Sequence, residues 1–203
     1  MYTQNMPFRI FLLVVFLSLS APAGRSQEYS CTAPQAGGGV RYACESGNGC
    51  WVVVWEGGRS QGGCVKGRDV GLFAPISAEF KGVPLDEVIT ALTRGRNLEV
   101  KIVGDSKKRV TFAVEPRPLQ LVLLDLQRLT AVDLETAWLP RLSPDQEFSL
   151  CVNAKASDVS MLLYAMTGRE VKIPIEKRDV RVSLKLRDVI HAQAADELLK
   201  ALR

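Results

Sequence analysis

The sequence predicts an α+β protein: two tandem small strand–helix–strand–strand–helix modules, preceded by a small disulfide-linked β module. Three observations predict it. The last two thirds of the chain repeat one pattern at a spacing of about 71 to 72 residues. Apolar periodicity switches between strand alternation and helical spacing at matching points in both copies. Four of the five cysteines crowd into a glycine-rich stretch ahead of the repeats. The expected divisions are 1–23, an export signal; 24–72, the cysteine module; 73–142, the first copy; and 143–203, the second.

The chain opens with Arg9, an apolar run from Ile10 to Ser20, and the small-x-small triplet Ala21-Pro22-Ala23. A run of about a dozen residues is short for a bilayer span, which takes about 20. Charge, apolar run and small residues together read as a secretory signal cleaved after Ala23. A short membrane anchor is the competing reading. A lipid anchor on Cys31 fits less well, because Glu28-Tyr29-Ser30 is not a small apolar box.

Cysteine use agrees with export. Cys31, Cys44, Cys50 and Cys64 read as two disulfides, and Cys151 stands alone. Zinc is the alternative, but no C-x-x-C pair occurs and the single histidine, His191, is remote in sequence. Three pairings are open, and the sequence does not choose among them. The clear strand in this stretch is Trp51-Val52-Val53-Val54-Trp55, followed by a turn at Glu56-Gly57-Gly58-Arg59. Trp51 and Trp55 share a face. They read either as packing around a small crosslinked core or as a binding face.

The first copy begins with the alternating strand Ile76–Phe80. A helix follows Pro84 and shows one apolar face, Leu85, Val88, Ile89 and Leu92, before Gly95. Strands are expected at Leu98–Ile102 and Val110–Val114, then a helix on Leu119, Leu123, Leu126 and Leu129, and a further strand on Val132, Leu134 and Trp138. The second copy repeats this order. Phe148–Val152 is its first strand, with Cys151 facing away from Leu150 and Val152. Val159, Leu162, Leu163 and Met166 mark its first helix, ended by Gly168. Val171–Ile175 and Val180–Leu186 are the expected strands, and Ala195, Leu198 and Leu202 the last helix.

No constellation for chemistry stands out. His191 has no nucleophile or acid placed to join it. Asp86, Glu87 and Asp158 sit at helix starts, where carboxylates favour the dipole without any acid–base role. Gly37-Gly38-Gly39 lacks the lysine of a phosphate loop. The element order also resembles that of RNA-binding KH modules, but their G-x-x-G loop is missing. A net charge of +4, reduced by one when Arg9 is removed, adds no argument for nucleic acid. No cofactor and no metal are expected.

The spacing of Val83-Pro84-Leu85-Asp86-Glu87-Val88, Leu92, Leu98-Glu99-Val100 and Val110-Thr111-Phe112 resembles the secretin and TonB short N-terminal domain. The second copy, through Asp158-Val159, Leu162-Leu163, Thr167-Gly168, Val180–Leu184 and Leu198-Leu199, is also similar to the ring-building modules that precede secretin channels. The resemblance covers about residues 76–202 and leaves out the cysteine stretch. It implies a non-enzymatic periplasmic protein, held to the outer membrane only through its partners. Those would be secretin, pilus or TonB-system components, and self-association is open. No channel or barrel sequence follows in these residues, so the expected role is accessory to such a machine. Arg181, Lys185 and Arg187, alternating with buried positions, make the expected docking face. The other class considered is an exported small-molecule or glycan-binding protein using Trp51 and Trp55.

Overall fold

The computed structural model describes residues 29–33, 39–44, 49–65, 71–96 and 98–203, and the expected export signal lies outside them. The protein is α+β, with four helices and four small sheets among the described residues. None of these helices is long and apolar enough to cross a membrane.

The cysteine stretch forms two hairpins. β1 (Tyr29–Ala33) pairs with β2 (Val40–Cys44), and β3 (Cys50–Trp55) pairs with β4 (Arg59–Cys64). The second hairpin turns where the sequence expects it. The loop is the three residues Glu56, Gly57 and Gly58, and both glycines take positive φ, 73° and 72°, where a side chain would be strained. Cys31 and Cys50 form a disulfide, with Cα atoms 5.9 Å apart. Cys64 is disulfide-bonded as well, while the side chain of Cys44 lies outside the described ones.

In the first copy β5 (Pro75–Pro84) pairs with β7 (Arg109–Pro118), and β6 (Lys101–Val103) pairs with β8 (Asp133–Glu135). Helix α1 (Leu85–Thr93) buries Leu85, Val88, Ile89 and Leu92, the four predicted positions. Helix α2 (Leu119–Thr130) buries Leu119, Leu123 and Leu126. Leu129 departs from expectation and is 54% exposed: with Arg128 it lies on the solvent face of the last turn, while Leu126 and Thr130 on either side are buried.

The second copy follows the same order: β9 (Phe148–Lys155), α3 (Ala156–Thr167), β10 (Arg181–Val189) and α4 (His191–Lys200). Val159, Leu162, Leu163 and Met166 are all buried under α3. Gly168 ends that helix in the left-handed conformation, its N–H donating to Tyr164 O at 2.8 Å.

One predicted strand is absent. Val171–Ile175 is extended up to Pro174 and then turns into a short 3-10 helix. Val171 and Ile173 still face inward while Lys172 and Pro174 face out. The alternation is therefore that of a strand, but a ladder needs a neighbour. In the first copy β8 supplies it after α2. Among the described residues no strand follows α4.

The cysteine hairpin also does not stand apart from the repeats. β3 pairs with β9, so one four-stranded sheet runs β10–β9–β3–β4. The expected division near residue 72 cuts through this assembly. Trp51 and Val53 join the same buried core as both copies. The 3-10 turn Gly71–Phe73 inserts Leu72 and Phe73 against α2 and α3, and Phe73 meets the Trp51 ring edge-on at 5.8 Å. On the other face of the sheet Cys31, Ala33, Cys50, Val52 and Val54 form a separate small cluster.

Candidate functional site

The predicted basic row lies on β10, an edge strand of the four-stranded sheet. Arg181, Ser183, Lys185 and Arg187 all face solvent on one side, while Val182, Leu184 and Leu186 are buried on the other. The side chains differ in their engagement. Arg181 Nε donates to Asn153 Oδ1 at 2.7 Å, and Arg187 Nε reaches Asp188 Oδ2 at 3.3 Å. Lys185 makes no ion pair among the described residues and stands opposite Cys151 in the ladder.

The two tryptophans separate. Trp51 is 7% exposed and belongs to the core, so it offers no binding face. Trp55, half-buried at the end of β3, borders a cleft of about 600 Å³. Glu56, Glu147, Phe148, Ser149 and Asp188 line it too. The Arg59 guanidinium lies over the indole at 5.7 Å from its centroid. Asp188 takes a positive φ of 47°, stabilised by Ser149: the hydroxyl donates to Asp188 Oδ1 and accepts from Asp188 N–H, both at 3.1 Å. The sequence carried no signal for this pairing, since the two residues meet only through the β9–β10 register and the irregularity after Leu186.

Cys151 is free and half-buried, packed against the Cys31–Cys50 cluster. Burial pushes its thiol pKa up, opposed by a backbone hydrogen bond with Thr32 and by Lys185. A thiol held in that form is a poor nucleophile. Among the described residues no group of acidic, histidine and cysteine side chains could hold a metal ion.

His191 is buried at the start of α4, and Thr167 explains why. The Thr167 hydroxyl donates to Leu163 O at 2.8 Å, so it accepts from His191 Nδ1, also at 2.8 Å. The imidazole thus helps hold α4 against the end of α3. Burial and then the charge of Arg169 lower its pKa from 6.5. The native state therefore binds fewer protons than the unfolded chain, and stability rises with pH across that window. We expect full stability above 6.5 and progressive loss as pH falls through 6.5 toward the lower native value. Urea midpoints compared above and below that pH check this, and His191→Gln should flatten the difference.

Asp158 behaves differently from the sequence expectation of a dipole-stabilised carboxylate. Burial pushes its pKa up, opposed by Lys155 and reinforced by Asp179. Asp86 fits the expectation better. The Lys107 ammonium holds its carboxyl below the ordinary value, and Oδ1 accepts from Glu87 N–H at 3.0 Å.

The residue that sequence reasoning missed is Gln120. It is fully buried in α2. Its Oε1 accepts from Leu139 N–H at 2.7 Å, and its Nε2 donates to Leu139 O at 3.3 Å and Ala165 O at 3.2 Å. It joins the first copy, the linker and the end of α3.

Searches for related proteins found no matching family model, curated protein or solved structure.

Proposed function

We propose that this is an exported, periplasmic, non-enzymatic interaction module, accessory to an envelope secretion, pilus or TonB-linked system. The observation that supports this reading is the free edge of β10, a nine-residue strand flanked by Arg181, Lys185 and Arg187. An edge strand offers unpaired backbone donors and acceptors, and a basic row favours an acidic partner segment. The doubled strand–helix order and the resemblance to secretin and TonB N-terminal modules supply the class of partner.

Lys185 and Arg187 make a cleaner test than Arg181, which holds Asn153. Lys185→Glu with Arg187→Glu should change stability by no more than about 0.5 kcal/mol, as exposed substitutions do. Capture of secretin, pilus or TonB-system subunits from the envelope should drop sharply. Undiminished capture of those subunits by the double variant rules this face out.

The Trp55 cleft favours a second reading, an exported protein that binds a small molecule or glycan. An aromatic platform beside Glu56, Glu147 and Asp188 suits a ring with hydroxyl groups. Saturable quenching of tryptophan fluorescence by a glycan, lost in Trp55→Ala, would favour it over docking.

A further inference from the structure

The two copies differ most at the outer edge of their first strand. In the second copy that edge, on β9, is filled by β3: Trp51, Val52 and Val53 lie opposite Val152, Cys151 and Leu150. In the first copy β5 pairs, among the described residues, with β7 alone. Burial follows the pairing. Leu150, Val152 and Ala154 are at most 1% exposed, whereas their counterparts Ala78, Phe80 and Val83 are only half-buried. The first copy presents a two-stranded ribbon where the second has a four-stranded sheet.

The outward side chains of this open edge are Ser77, Glu79 and Lys81. Glu79 and Lys81 pair with each other at 2.8 Å, with side chains 62% and 78% exposed. So exposed a pair contributes little where it stands and is easily redirected.

We propose that the β5 edge pairs antiparallel with the β5 edge of a second copy of this chain, about a two-fold axis at Phe80. Pairing centred there sets Glu79 opposite the partner's Lys81, and Lys81 opposite the partner's Glu79. Directly opposed charges of opposite sign stabilise antiparallel strands. The contact is self-complementary, as a two-fold interface must be. It brings half-buried Phe80 against the partner's Phe80 on the helix-covered face. The product is a four-stranded β7–β5–β5–β7 sheet, equal in strand number to the one the second copy already has.

The two edge strands of the four-stranded sheet lack this symmetry. Self-pairing of β10 would bring Arg181, Lys185 and Arg187 against one another, and β4 is interrupted by Gly62 and Gly63. Self-association through β5 leaves the β10 row free, so it goes beyond the docking reading and stands or falls separately from it.

Sedimentation equilibrium on the protein with its disulfides intact tests the proposal, at concentrations up to about 1 mM so that weak contacts register. The average mass should climb toward twice that of the monomer. Lys81→Glu alone, and Glu79→Lys alone, should each weaken association at least about ten-fold, because each sets like charges face to face. An equimolar mixture of the two variants should recover it, since one chain then presents two acids to two bases. The Lys185→Glu/Arg187→Glu protein should associate like the unaltered one. A protein that stays monomeric throughout overturns the proposal. So does a mixture no heavier than its two components measured apart.

Discussion

Leu92→Ala and Leu163→Ala should each destabilise the protein by about 2–5 kcal/mol, as truncation of a buried leucine does. The two residues occupy equivalent places on α1 and α3 and are 2% and 0% exposed. From sequence alone each change would weaken its own module. The continuous core predicts something different. Leu72 and Phe73 wedge against α2 and α3, Trp51 packs on Phe73, and β3 extends the sheet of the second copy. Both substitutions should therefore shift one shared unfolding transition. A loss of this size is a large share of the roughly 5–15 kcal/mol that folded domains have. Far-UV circular dichroism follows the helices, and the emission of core Trp51, isolated by Trp55→Phe and Trp138→Phe, follows the cysteine hairpin. Coincident midpoints in both variants are expected. Two separated transitions, each moved by only one substitution, would mean that the copies unfold independently.

Much of the fold was legible because local and global demands agree here. The apolar faces of α1 and α3, the glycine stops, and the alternation in β10 are periodic patterns read directly off the residues. Val171–Ile175 shows the limit of that reading. Its alternation is real, and Val171 and Ile173 are buried, yet a strand is defined by its neighbour, and none of the described strands pairs with it. The β3–β9 pairing was hidden for a related reason. Trp51, Val53 and Val54 announce a strand buried on both faces, but nothing in them names a partner about a hundred residues away.

The candidate site was legible in part. The basic row on β10 follows from alternation alone, but its differing engagement does not. Asn153 is brought beside Arg181 by the β9–β10 register, whereas Arg187 meets Asp188, its neighbour in the chain. Trp51 and Trp55 look alike in sequence and share a strand face. Phe73, delivered by a 3-10 turn, covers the first, and the second is left at the cleft. His191 stands at a helix end, as the first residue of α4, but it is buried there and serves the α3–α4 contact through Thr167.

Gln120→Ala should be among the most damaging single changes, costing about 3–5 kcal/mol, because buried backbone groups would lose their partners at about 1–3 kcal/mol each. The end of α3 shows what is at stake. The last carbonyls of a helix have no partner within it and must find one elsewhere. Here Ala165 O accepts from Gln120 Nε2 and from Arg141 Nη1, and Met166 O accepts from Leu142 N–H. In Gln120→Ala, Ala165 O keeps Arg141, but Leu139 N–H and C=O are stranded in the core. Gln120→Glu separates this role from simple volume. The new carboxylate can still accept from Leu139 N–H, but it has no donor for Leu139 O or Ala165 O, and burial raises its pKa. Its native state then binds the proton more tightly than the unfolded chain, so the variant should gain stability as pH falls and lose it as pH rises. Denaturant midpoints of the two variants across a pH series provide the measurement. A Gln120→Glu profile parallel to that of the unaltered protein, or a cost below about 1 kcal/mol for Gln120→Ala, would mean that the copies are joined by apolar packing alone.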